Sequence, residues 1–116
     1  MINAIKKIFL IKYVNRLSFP KFSEENVKRY HIGFFGKVQR VGFRDQLRLF
    51  AEKLKLTGYV RNISTNRVIT EIQGPKEKLD FLVEAIKNEK RFILNEVNIE
   101  EISLVDNEKK FTIIKI

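Results

Sequence analysis

Apolar positions along this chain switch between a period of two and a period near 3.6, and the switches outline a fold. Ile32 and Phe34 share one face of a strand predicted over residues 30–37. Phe43, Leu47, Phe50, Ala51 and Leu54 then recur at helical spacing, which predicts an amphipathic helix over residues 43–56, with Gly58 as the break after it. Residues 59–63 and 67–73 read as two strands of a hairpin around the polar turn Ser64-Thr65-Asn66. Gly74-Pro75 opens a second helix, whose stripe is Leu79, Leu82, Val83 and Ile86. Residues 92–104 hold a fourth strand, Asp106-Asn107-Glu108 is a turn, and residues 111–116 form a last strand.

The predicted order is strand, helix, strand, strand, helix, strand, strand. Two helices with one apolar stripe each need one sheet face to cover. The expected fold class is therefore α+β: a ferredoxin-like sandwich, an antiparallel sheet covered on one face by two helices. Residues 30–116 form this domain, and residues 1–29 read as an extension.

In the extension, Ile2, Ile5, Phe9 and Tyr13 fall at helical spacing with Lys6, Lys7, Lys12 and Arg16 between them, and Pro20 ends any helix. The apolar run Ile8-Phe9-Leu10-Ile11 is too short for a membrane span or a signal-peptide core. Three readings stay open: a helix added to the domain, a transit-like or membrane-surface segment making weak contact with lipid, or a loosely ordered arm.

The chain has 116 residues, enough for one domain with a packed core. It has no cysteine, which removes disulfides, thiolate metal sites and a cysteine nucleophile; the single histidine, His31, cannot build a multi-histidine metal site. The net charge is +9. Residues 1–29 hold seven basic and two acidic side chains, so more than half of the surplus lies in the extension. Such a field draws in small anions as well as nucleic acid and by itself identifies neither.

The chemistry concentrates in Gly36-Lys37-Val38-Gln39-Arg40-Val41-Gly42-Phe43-Arg44, between the first strand and the first helix. A turn of this kind aims several backbone N–H groups and a helix N-terminus at one spot, which favours an anion. Arg44 adds a planar guanidinium that fits phosphate oxygens. Gly36 and Gly42 permit tight backbone geometry, while Val38, Val41 and Phe43 are most simply core. Asn62, on the same strand face as Val60 by alternation, reads on its own as a turn residue before Ser64.

The stretch resembles the signature of the acylphosphatase family, G-x-V-Q-G-V-x-F-R, with Arg40 standing where the family has its second glycine. Thr57-Gly58-Tyr59-Val60-Arg61-Asn62 is similar to the family's T-G-x-V-x-N segment, and Gly74-Pro75 to its E/Q-G-P turn. The resemblance implies the ferredoxin-like fold and hydrolysis of acyl phosphates to carboxylate and inorganic phosphate without a metal or cofactor. It implies that Gln39, Arg40, Val41, Gly42, Phe43 and Arg44 bind the phosphoryl group, with Arg44 and Asn62 catalytic and Asn62 orienting the water. Arg40 either strains the cradle, if its position needs positive φ, or adds a second positive charge at the mouth.

A catalytically impaired phosphate-binding module on the same fold is the alternative. Sulfate or phosphate would bind as mimic or product, and the protein is expected to be a cytoplasmic monomer. A specific nucleic-acid partner is not expected: RNA-recognition modules carry aromatics on central strands, whereas Arg40-Val41-Gly42-Phe43 falls at a loop and helix start.

Overall fold

The computed structural model describes residue 5, residues 12–38 and residues 42–115. Residues 12–16 are helical (α1). They are followed by β1 (Val27–Lys37), α2 (Phe43–Lys53), β2 (Thr57–Ser64), β3 (Arg67–Pro75), α3 (Lys76–Lys87), β4 (Ile93–Ile102) and β5 (Phe111–Ile114). The five strands form one sheet in the order β4-β1-β3-β2-β5.

The inner arrangement is the expected α+β ferredoxin-like sandwich. β1 pairs antiparallel with both β3 and β4, and β2 antiparallel with β3. The fifth strand departs from the antiparallel expectation: β5 lies parallel to β2, so the sheet is mixed. The reason is topological. β4 and β5 occupy opposite edges, and residues 103–110 must carry the chain from one to the other.

That crossing segment is held by polar contacts. Gln73 Nε2 donates to the Val105 carbonyl at 3.0 Å and the Val105 N–H donates back to Gln73 Oε1 at 2.9 Å. The Arg29 guanidinium donates to Glu108 at 2.8 and 3.2 Å and to Glu71 at 3.2 Å. Arg29 is only 2% exposed. β1 therefore begins three residues before its apolar alternation, at Val27, because a buried arginine carries no apolar signal.

α2 and α3 cover the other face, where Ile32, Phe34, Val60, Val68 and Ile72 meet Leu47, Phe50, Ala51, Leu79, Leu82 and Ile86. α2 stops at Lys53, short of the expected residue 56, and the terminator is Lys55 rather than Gly58. Lys55 takes φ 59°, and the Leu56 N–H closes back on the Ala51 carbonyl at 2.8 Å. This is a left-handed helix end that buries Leu54 and Leu56. Gly58 serves β2 instead: a Cβ there would lie 1.9 Å from the Glu71 carbonyl oxygen.

Residues 12–22 lie against the outer side of the helices. Val14 is buried, whereas Tyr13, a member of the expected stripe, is 40% exposed and Ile5 is exposed; Ile2 and Phe9 lie outside the described residues. Phe19 stacks on Phe50 at 5.7 Å and meets Phe81 edge-on at 5.0 Å. Lys53 Nζ donates to the carbonyls of Val14, Asn15 and Leu17 at 3.0, 3.3 and 2.7 Å, satisfying acceptors that the end of α1 leaves over. Among the described residues no helix is long and apolar enough to cross a membrane.

Candidate active site

β1 and β2 are both antiparallel to β3, so they run in the same direction. The C-terminal end of β1, which leads into α2, and the C-terminal part of β2, which carries Asn62, therefore lie at the same end of the sheet. The register sharpens this: Asn62 pairs with Val68, and Val68 with Phe34, in one row across three strands. Phe34 and Val68 are buried on the helix side, so the row directs Asn62 to that side too, as does alternation from buried Val60. Asn62 is half-buried and its Oδ1 atom is buried. The register shifts between Asn62 and Ser64, a bulge that ends regular pairing just beyond it.

The start of α2 is pinned to the same row. The Phe43 ring packs edge-on against Phe34 at 4.9 Å and against Phe92 at 4.8 Å. Arg44 follows directly. It is half-buried, and among the described residues its guanidinium has neither ion pair nor hydrogen bond. Its neighbour Asp45 is instead turned to Arg48 at 3.8 Å. A cation in the first turn opposes the helix dipole, so this placement gains nothing locally.

The turn between strand and helix depends on glycine at both ends. Gly36 has φ 149°, and a Cβ would lie 2.0 Å from the Ile93 carbonyl oxygen, where the β1–β4 register also shifts. Its N–H donates to the Asn66 carbonyl at 2.9 Å, tying the end of β1 to the β2–β3 turn. Gly42, at φ 77°, is the N-cap of α2 and has no side chain with which to cap it. The first internal bond of the helix runs from the Gln46 N–H to the Gly42 carbonyl at 2.9 Å. The N–H groups of Phe43, Arg44 and Asp45 thus have no intrahelical acceptor and point out of the helix start.

Of the anticipated site residues, Gly42, Phe43, Arg44 and Asn62 converge at this end of the sheet. Gln39, Arg40 and Val41 lie outside the described residues. The β2–β3 turn is made without left-handed geometry at Thr65 or Asn66; the bulge supplies the extra twist. Gln46 was not anticipated. It is 1% exposed and sits on the buried stripe of α2 between Phe43 and Leu47. An amide within an otherwise apolar stripe is the signal that marks it.

The acylphosphatase family model matches residues 30–113. The chain is 34% identical over 87 residues to the acylphosphatase of Bacillus subtilis (strain 168), spanning 74% of this chain and 96% of that one. The crystal structure of acylphosphatase from Bacillus subtilis superposes with a TM-score of 0.70 at 32% identity, covering 78% of this chain and 100% of that one. An acylphosphatase structure from Coxiella burnetii gives 0.69 at 32% identity, with 82% and 100% covered. A family model that spans most of the chain, with relatives matched almost end to end, shows that the chain belongs to the acylphosphatase family.

Proposed function

We propose that the turn after β1, Arg44 and Asn62 together carry out the hydrolysis that family membership entails: an acyl phosphate is split to a carboxylate and inorganic phosphate. Residues 30–116, together with the first three residues of β1, form the catalytic domain, and the residues before β1 are an added segment. The leaving carboxylate is weakly basic, so the reaction needs little acid catalysis. What it needs is a clamp on the phosphoryl oxygens and a placed water, which is positioning and electrostatics rather than covalent work.

The backbone N–H groups of Gln39 through Phe43 surround the phosphoryl oxygens, and the Arg44 fork binds two of them. Asn62 orients the water: its carbonyl accepts one water hydrogen while its amide donates to another oxygen. The water oxygen bonds to phosphorus as the bond from phosphorus to the acyl oxygen breaks in line. The carboxylate leaves with the bonding pair, and the water's proton passes to a phosphoryl oxygen of the substrate. The enzyme acts as a cytoplasmic monomer on a small-molecule substrate, with no nucleic-acid partner.

One observation supports this reading above the others: the row Asn62–Val68–Phe34 and the Phe34–Phe43 ring contact bring β2 and the start of α2 together. The test is phosphate release from a small aromatic acyl phosphate with chelator present. Wild type releases phosphate; Arg44→Ala and Asn62→Ala each lose turnover and keep the fold. Wild-type rates in both variants would show the residue assignment to be wrong, and a wild type that releases none would show the activity to be wrong.

A further inference from the structure

α2 presents Arg44 from a turn that has no side-chain cap of its own, since Gly42 stands at the N-cap. Two residues of that turn are nevertheless held from below. Phe43 is held by Phe34 and Phe92. Gln46, three residues on and on the same face, donates Nε2 to Glu89 Oε2 at 3.3 Å. Among the described residues its Oε1 has no hydrogen-bond partner, so the Glu89 bond anchors an amide that burial has stripped of water.

Glu89 is itself well fixed. It lies just past the end of α3, and its Oε1 accepts the Arg91 N–H at 3.2 Å and pairs with Arg91 Nε at 3.3 Å. The Phe92 N–H donates to the Glu89 carbonyl at 3.2 Å, so the corner that carries the carboxylate also carries the ring under Phe43. From the N-terminal segment, the Tyr13 hydroxyl donates to Glu89 Oε2 at 3.4 Å, the same oxygen that Gln46 uses, and Arg91 stacks over the Tyr13 ring at 5.8 Å. Burial pulls the Glu89 carboxyl upward, but the Arg91 N–H, the Gln46 amide and the Arg91 charge hold it below the ordinary value, so it stays a charged acceptor at neutral pH.

We propose that Glu89 is a positioning residue for the phosphate site: through Gln46 it fixes the rotation of the first turn of α2 and hence the direction of Arg44, and through Tyr13 it gives the N-terminal segment a share in that geometry. Residues 43 and 46 are both clamped on the buried face, so Arg44, about 100° further round the helix than Phe43, has its Cα–Cβ direction set by them. Releasing the Gln46 clamp lets the turn rotate about Phe43 alone. This rests on the hydrolase reading for the role of Arg44, but its own readout is anion affinity.

The experiment compares wild type with Glu89→Ala, Glu89→Gln, Gln46→Met and Tyr13→Phe. It measures inorganic phosphate affinity by NMR titration, and kcat and KM on an acyl phosphate, at a temperature where every variant is folded. Glu89→Ala and Gln46→Met weaken phosphate binding and raise KM about tenfold, because a small misplacement of a clamp is costly. Glu89→Gln, whose single amide oxygen keeps the Gln46 bond only by giving up the Arg91 N–H, recovers part of the loss, and Tyr13→Phe costs about twofold.

Wild-type phosphate affinity and KM in both Glu89→Ala and Gln46→Met would overturn the proposal. If Glu89→Ala fails to fold, Gln46→Met decides, since methionine fills the amide's volume without its polarity. If wild type binds phosphate but hydrolyses nothing, the hydrolase reading fails while the affinities still judge Glu89. If wild type binds no phosphate, both fall.

Discussion

Two arginines stand at opposite ends of one sheet and are treated in opposite ways. Arg29, at the start of β1, has its fork filled: two bonds go to Glu108, one to Glu71 and another to Gln73 at 3.2 Å. Arg44, at the start of α2, has no partner for its fork among the described residues. Both are planar cations of the same chemistry. The difference separates two uses of one side chain: the protein completes the first, and the second is the arginine proposed to grip the phosphoryl group. Surroundings agree. Arg29 sits under a strap that seals it from water, whereas Arg44 sits where glycines and bulges stop regular pairing and leave N–H groups over.

The largest effect expected from breaking this contrast is at Arg44. Arg44→Ala should lower kcat/KM by about 10³-fold, the scale of removing a strong transition-state donor. Its stability should move by no more than about 0.5 kcal/mol. Arg44→Lys keeps the charge but not the fork and should recover only part of the rate, as steady-state kinetics would read. A large stability loss in Arg44→Ala would erase the distinction. Asn62→Ala comes next, with kcat down about 10²-fold and KM little changed, because a water-orienting group acts on the chemical step.

At the other end the signs reverse. Glu108→Ala leaves the buried Arg29 with Glu71 as its remaining charge partner and should cost about 2 kcal/mol in denaturant unfolding. Its turnover below the transition should match wild type.

The smallest effect is with pH. Burial would raise the Glu108 carboxyl, but hydrogen bonds from Arg29 and Thr57 and the charge of Arg29 outweigh it, so it titrates below the ordinary 4.5. A depressed folded-state value means that the pair's contribution is complete above the unfolded value. It is lost as pH falls through the folded one. Stability should therefore decline on acidification below about pH 4.5, and more shallowly in Glu108→Ala, as thermal melts across that range would show.

Much of this was legible in the chain. The stripes on α2 and α3 and the alternation of β1 appear where packing requires them, because apolar burial against one sheet face leaves a periodic trace. Gly36 announces the turn because a side chain there would run into the Ile93 carbonyl, and Gly42 because glycine takes its left-handed φ without strain. Arg29 left no such trace: a buried cation looks like a surface one until the strap that covers it is in place, and β1 accordingly starts before its apolar pattern. The direction of β5 was hidden for a related reason, since pairing sense depends on how residues 103–110 travel and not on the strand's own four residues. At the site, the two motifs singled out Arg44 and Asn62, and what they did not reveal is the register that sets Asn62 in one row with Phe34. Glu89 is distant in sequence from Gln46, and only the packing of the corner after α3 against α2 joins them.

Lys55 ends α2 in a backbone region that lysine tolerates poorly and glycine adopts freely. Replacing it with glycine would relieve about 1 kcal/mol of local strain. The position is an exposed corner at the far end of α2 from the turn that precedes it, so a sturdier form of the protein is one substitution away. Headroom for tolerating costlier changes nearer the chemistry is thus written into a single surface residue.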